Sequence, residues 1–178
     1  MSPDTIVLGG GCFWCTESVF TQIRGVHKVE SGYSGGHLKN PTYKEVCTGM
    51  TGHVEVIKVH FDSSVVSLAT LLKIFFTTHD PTTINRQGND IGTQYRSVIF
   101  FENDYQQQIA EQVVAEMTQQ QIFDSPIVTE ISPLINFFSS EQYHHNYFAN
   151  NPHEPYCEAV ISPKVAKFRA HYKDLLKG

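Results

Sequence analysis

The sequence predicts an α+β fold in which a mixed, mainly antiparallel sheet is covered on one side by helices. Two observations carry this expectation. Apolar or alternating segments of strand length recur at residues 6–8, 26–33, 54–61, 97–102 and 127–131, with helical apolar spacing between several of them. The order strand, helix, strand, strand, helix, strand, helix, strand also lacks the regular alternation of a doubly wound sheet. The glycines from Gly88 to Gly92 do not fit the Gly-x₄-Gly-Lys-[Ser/Thr] phosphate loop, so a nucleotide-binding layout is the weaker competitor.

Ile6, Val7 and Leu8 read as a short buried strand, and Gly9, Gly10 and Gly11 supply a tight turn after it. Helical apolar spacing follows over residues 13–23. Cys12 is thereby expected at a helix N-terminus, where unpaired N–H groups and the positive end of the macrodipole favour the thiolate, the form that attacks electrophiles. Residues 26–33 read as extended and run into a long loop, GYSGGHLKNPTY. The strand at 54–61 is followed by Ser63 to Ser67, which lead into a helix with Leu68, Leu71, Leu72, Phe75 and Phe76 on one face. That helix ends near His79, because the residue before Pro81 resists helical geometry.

A polar loop, NRQGNDIGTQY, leads to the strand at 97–102. Asp104 is the expected cap of the next helix, whose inward stripe is Tyr105, Ile109, Val113, Val114 and Met117 and whose end falls near Gln120. After the strand at 127–131 comes an aromatic and histidine-rich stretch, FFSSEQYHHNYFANNPHEPYC. Ser162 as N-cap and Pro163 in the first turn open a last helix with Val165, Phe168, Tyr172, Leu175 and Leu176 inward.

A chain of 178 residues is expected to form one domain, residues 1–178. The formal charge of −5 and the absence of any lysine or arginine run argue against a nucleic-acid or membrane-surface partner. The start MSPDTIVLGGG lacks the basic and apolar regions of a signal peptide, and no segment approaches the ~20 apolar residues of a membrane span. A cytoplasmic location is the expectation. In that reducing setting the four cysteines, Cys12, Cys15, Cys47 and Cys157, read as catalytic, metal-binding or simply buried.

Cys12 and Cys15 form a Cys-x-x-Cys pair, which has three readings: a zinc half-site, a redox dithiol, or coincidence. Structural zinc calls for four ligands, and there is no second pair of this kind, although His144, His145, His153 and Cys157 keep the metal reading open. Glu55 adds a different chemistry. It shares a strand face with Ile57, Val59 and Phe61, an apolar and inward face. A carboxyl group drawn from water keeps its proton to higher pH and becomes a hydrogen-bond donor or general acid. The bland alternative is that Glu55, at the strand's end, reaches solvent. Tyr43, Asp90 and Tyr95 bring further polar groups, and Phe13 and Trp14 flank Cys12, but residues of these types are, taken singly, more often packing or turn formers than parts of a site.

Together these residues closely resemble the methionine sulfoxide reductase A family. The resemblance rests on GCFWCTE at 11–17, GYSGG at 32–36, NPTYKEVC at 40–47, TGHVEV at 51–56, HDPT at 79–82, RQGNDIGTQYRS at 86–97, and the NP and PYC elements near Cys157. It implies a two-layer sandwich around a ferredoxin-like core. It also implies that Cys12 attacks the sulfoxide sulfur, that Phe13 and Trp14 hold the substrate methyl group, and that Glu55, Tyr43 and Tyr95 hydrogen-bond the sulfoxide oxygen. Asp90 supports the site through water or neighbouring groups.

The family acts on the S epimer of methionine sulfoxide, free or in oxidised proteins, and leaves Cys12 as a sulfenic acid that a second thiol resolves. Family position favours Cys157 as that thiol, with Cys15 as the alternative. Many relatives carry the resolving cysteine in a glycine-rich tail, whereas here PYCEAVISPK runs into a helix. Cys47 matches a family cysteine that is buried and structural. Thioredoxin is the implied reductant, no metal or organic cofactor is called for, and the histidine-rich stretch is expected to pack against and line the site.

Overall fold

The first apolar run becomes the strand around which the sheet is built. In the computed structural model, which describes residues 4–177, β1 (Asp4–Gly9) lies between β3 (Val54–Phe61) and β6 (Val98–Phe101), antiparallel to both. The expected unit of residues 1–178 therefore runs past the described residues at both ends. Paired on both edges and packed on both faces, Ile6, Val7 and Leu8 are fully buried, so this strand reads as a continuous apolar run. β2 (Val26–Ser34) flanks β3, and β8 (Phe138–Ser139) and β7 (Glu130–Pro133) form the two edges. The order is β7-β6-β1-β3-β2-β8; β6 and β7 are parallel and the other neighbours antiparallel.

Two helices cross between strands, α1 (Phe13–Phe20) from β1 to β2 and α3 (Leu68–Thr78) from β3 to β6, so that β6-β1-β3-β2 forms the expected ferredoxin-like core. Ser67 caps α3 by accepting the Thr70 N–H at 3.1 Å. The helix buries Leu68, Leu71, Leu72, Phe75 and Phe76, the five positions its spacing singled out. With α1, α4 (Asp104–Gln119) and α6 (Ser162–His171) these residues cover one face of the sheet, the face of Ile57, Val59 and Phe61. On the other face Val7, Val54, Val56, Val98 and Phe100 pack beneath Leu134 and Phe137. Leu72→Ala, at a fully buried position, is expected to cost about 2–5 kcal/mol. Urea unfolding would register this as a lower midpoint at unchanged slope.

Several local expectations are corrected. α1 ends at Phe20 rather than near residue 23, with Gln22 and Ile23 bonding back in tight turns. The loop after β2 delivers a short helix, α2 (Tyr43–Cys47), closed by a capping box between Thr42 and Glu45. The polar loop at 85–95 contains a hairpin, β4 (Arg86–Gln87) and β5 (Asp90–Ile91), then a 3₁₀ turn at Thr93–Tyr95. Asn103, not Asp104, caps α4. The inner stripe of α4 is Gln106, Ala110, Val113 and Met117, while Tyr105 is 63 % exposed. Pairing with β6 sets β7 at 130–133, a few residues beyond the expected 127–131. Ser162 is no cap, because a π-helical turn at Cys157–Ile161 runs directly into α6. No helix among the described residues is long and apolar enough to cross a membrane.

Candidate active site

The strand-to-helix turn after β1 is held from below. Gly11 has φ +86°, and its N–H donates to the Tyr95 carbonyl at 3.2 Å, which ties the turn to the 3₁₀ turn carrying Tyr95. A Cβ on Gly10 would stand 2.9 Å from the ring of His79. Burial pushes His79 down to about 4, so its ring is neutral: Nδ1–H donates to the Phe75 carbonyl at 2.5 Å and Nε2 accepts from the Ser97 hydroxyl at 2.7 Å. This histidine is a floor for the loop. Cys12 follows as the N-cap of α1, partly exposed.

The position at a helix N-terminus does not leave Cys12 a ready thiolate. Burial of the sulfur, and then the charge of Glu55, push its pKa well above the ordinary thiol value, and the Trp14 N–H offsets only part of this. Glu55 is on the inward face of β3 and 1 % exposed. Its Oε1 accepts the Phe13 N–H at 3.1 Å, and its Oε2 is buried with no partner. Burial pushes this carboxyl up to about 8, past the lowering effect of the Phe13 N–H, so it is protonated at neutral pH. The inward reading of Glu55 therefore holds.

Tyr43, at the start of α2, and Tyr95 are half-buried beside that carboxyl. Burial first, and the Glu55 charge second, raise both phenols far above the ordinary tyrosine value, so each hydroxyl keeps its proton to donate. Around Cys12 and Glu55 the structure thus gathers three protonated donors. Asp90 reaches the same site from β5 and accepts the Tyr156 hydroxyl at 2.5 Å.

Phe13 is fully buried and Trp14 partly so. The Trp14 indole N–H donates to His144 Nδ1 at 2.9 Å. Tyr147 stacks on one face of the indole, centroids 3.9 Å apart and planes at 10°, and Tyr156 meets it edge-on at 6.0 Å. Buried Glu17, pushed up to about 7 by burial, accepts the Asn146 N–H at 2.7 Å and so anchors the start of the short helix α5 (Tyr147–Asn150), which brings Tyr147 to Trp14. The histidine-rich stretch does line the site through His144, buried against Phe13, Tyr43 and Trp14, whereas His153 is exposed beside Glu158. Tyr147, Tyr156 and Glu141 carry no assignment from sequence, and His144 only the open metal reading; the density of aromatic and histidine residues at 137–157 is the signal that marked them out.

All four cysteines are free thiols. Cys15 is buried one turn beyond Cys12 on α1, and Cys157 is fully buried in the π-helical turn. Burial raises the pKa of both, so neither is poised as a resting thiolate. Cys47, expected to be a buried structural thiol, is exposed at the end of α2, since so short a helix turns only Val46 inward. Among the described residues no three His, Cys, Asp or Glu side chains converge to hold a metal ion.

The family model described as peptide methionine sulfoxide reductase matches residues 4–176. A protein of Trichodesmium erythraeum named peptide methionine sulfoxide reductase MsrA is 54 % identical over 171 residues, covering 96 % of this chain and 97 % of that one. Among solved structures, Mxr1 from Saccharomyces cerevisiae in reduced form superposes with a TM-score of 0.78 at 34 % identity, over 86 % of this chain and 88 % of that chain. Methionine sulfoxide reductase A of Corynebacterium diphtheriae gives 0.76 at 36 % identity, over 85 % and 76 %.

Proposed function

Because the chain belongs to the peptide methionine sulfoxide reductase family and reduces methionine sulfoxide, we propose that Cys12 is its nucleophile and Glu55 its proton donor, acting in one catalytic unit over the whole chain. The observation that carries this reading is the buried carboxyl of Glu55, protonated at neutral pH and with one oxygen unpartnered beside Cys12. The Cys12 thiolate attacks the sulfoxide sulfur. The sulfoxide oxygen, a poor leaving group as an anion, takes the Glu55 proton and hydrogen bonds from the Tyr43 and Tyr95 hydroxyls as negative charge develops on it. As the S–O bond breaks, the oxygen passes to the Cys12 sulfur and the transient Cys12–substrate S–S bond breaks with its electron pair going to the substrate sulfur, so that Cys12 ends as a sulfenic acid and the substrate leaves as methionine, reduced by the two electrons that Cys12 gives up. Phe13 and Trp14, with the rings of Tyr147 and Tyr156 beside them, hold the methyl group; Asp90 fixes Tyr156.

Cys157 then displaces water from the sulfenic acid to form a disulfide, which a dithiol reductant of the thioredoxin class reopens. Four free thiols are consistent with a reducing, cytoplasmic setting. The substrate is the S epimer, in oxidised proteins or free. One turnover on that epimer without reductant, followed by peptide mass spectrometry, is expected to give a Cys12–Cys157 cross-link, and the R epimer neither methionine nor cross-link. A Cys12–Cys15 loop would transfer the resolving role to Cys15.

A further inference from the structure

Glu141 touches nothing that reacts, yet its carboxylate ties together three pieces of the site. Oε1 accepts from the Tyr33 hydroxyl at 3.0 Å, and Oε2 accepts from the Tyr43 backbone N–H at 3.0 Å and the Tyr143 hydroxyl at 3.5 Å. Tyr33 is fully buried on β2, its ring centroid 5.7 Å from that of Phe13. Tyr43 is the first residue of the five-residue α2. A helix this short has almost no internal hydrogen bonding to hold it, and its first N–H groups need outside partners. The capping box satisfies Thr42 and Glu45, and Glu141, 98 residues further along the chain, takes the N–H of Tyr43 itself. On its other side Glu141 precedes the 3₁₀ turn Gln142–His144, and His144 anchors the Trp14 indole. Burial raises the Glu141 carboxyl, but the N–H groups of Tyr43 and of Glu141 itself and the Tyr33 hydroxyl outweigh it and hold the pKa below the ordinary carboxylate value. The ionised group accepts from all three, of which the Tyr33 and Tyr143 hydroxyls could also accept and only the Tyr43 N–H must donate.

We propose that Glu141 is a positioning residue for the reductase step: by gripping the Tyr43 main chain against the Tyr33–Phe13 wall, it aims the Tyr43 hydroxyl at the sulfoxide oxygen. This rests on the reading that Tyr43 donates to that oxygen. A displacement of about 1 Å at such a donor is enough to cost on the order of 10²-fold in rate.

The test is the single-turnover rate of methionine release at saturating peptide sulfoxide, with the half-saturating concentration, for E141A, E141D, E141Q, Y43F and the Y43F/E141A pair. E141A, and E141D with its shortened reach, are expected to lose about 10–100-fold in rate with less than about threefold change in half-saturation. E141Q recovers to within about threefold of the parent, since its oxygen accepts the Tyr43 N–H while its NH₂ donates to the Tyr33 hydroxyl. In the Y43F background E141A costs less than about threefold, because the group it aims is gone. E141D and E141Q carry the comparison should E141A fail to fold. Parental rates for E141D or E141A, multiplying losses in the pair, or E141Q as impaired as E141D would overturn the proposal. A fully active Y43F would instead remove the role of Tyr43 on which it rests.

Discussion

Cys12→Ser is expected to abolish methionine release from the S sulfoxide, by about 10⁴-fold or more, the scale of losing a nucleophile rather than a binding contact. A hydroxyl in this position has no accessible anionic form to attack sulfur, and among the described residues no neighbouring group is arranged as a base for it: Glu55 is protonated, His144 already receives the Trp14 indole N–H and Asp90 the Tyr156 hydroxyl. The variant separates chemistry from folding unusually well. Cys12 occupies the N-cap of α1, and serine is a favoured N-cap residue. Thermal unfolding should therefore show a midpoint at or above the parent's while turnover disappears. Turnover that persisted in the serine variant would remove Cys12 from the mechanism.

The parts of this site that were legible in sequence are those that local pattern determines. The alternation of residues 54–61 fixed which face Glu55 occupies, and three glycines after an apolar run marked the turn that presents Cys12. Five of the six buried positions of α3 followed from a 3.6-residue period sustained over three turns, Ile74 being the one it left out. α2 is too short for any period to show, and only Thr42 and Glu45, a capping box in the middle of a loop, announced it. Long-range contacts were beyond reach in principle. The bonds from Trp14 to His144, from Tyr156 to Asp90 and from Tyr43 to Glu141 join residues 130, 66 and 98 positions apart. The acidity of Cys12 failed for the same reason: the helix terminus is local and favours the thiolate, whereas the burial and the Glu55 carboxyl that outweigh it come from tertiary structure.

That opposition between Cys12 and Glu55 makes Glu55→Gln the second decisive variant. The reactive form needs a thiolate on Cys12 and a proton on Glu55, while the competing form with one proton removed has them reversed. Each group's charge raises the pKa of the other, so the two titrate as a pair. Glutamine keeps a hydrogen-bond donor but has no proton to give. Turnover should fall by about 10²–10⁴-fold, the usual contribution of a positioned general acid. Cys12, relieved of a neighbouring negative charge, should meanwhile lose its proton at lower pH than in the parent, as read by thiolate absorbance or alkylation rate across a pH series. A merely structural defect would not make the thiol more acidic while the reaction slowed. In the parent, the donor's contribution is present below about 8 and lost as pH rises through that value. Stability follows with its own sign: between the ordinary carboxyl value of 4.5 and about 8 the folded protein holds a proton that the unfolded chain does not, so folding weakens as pH rises through that window. Glu55→Gln should flatten both dependences together, and a parental pH profile in that variant would place the donated proton on another group.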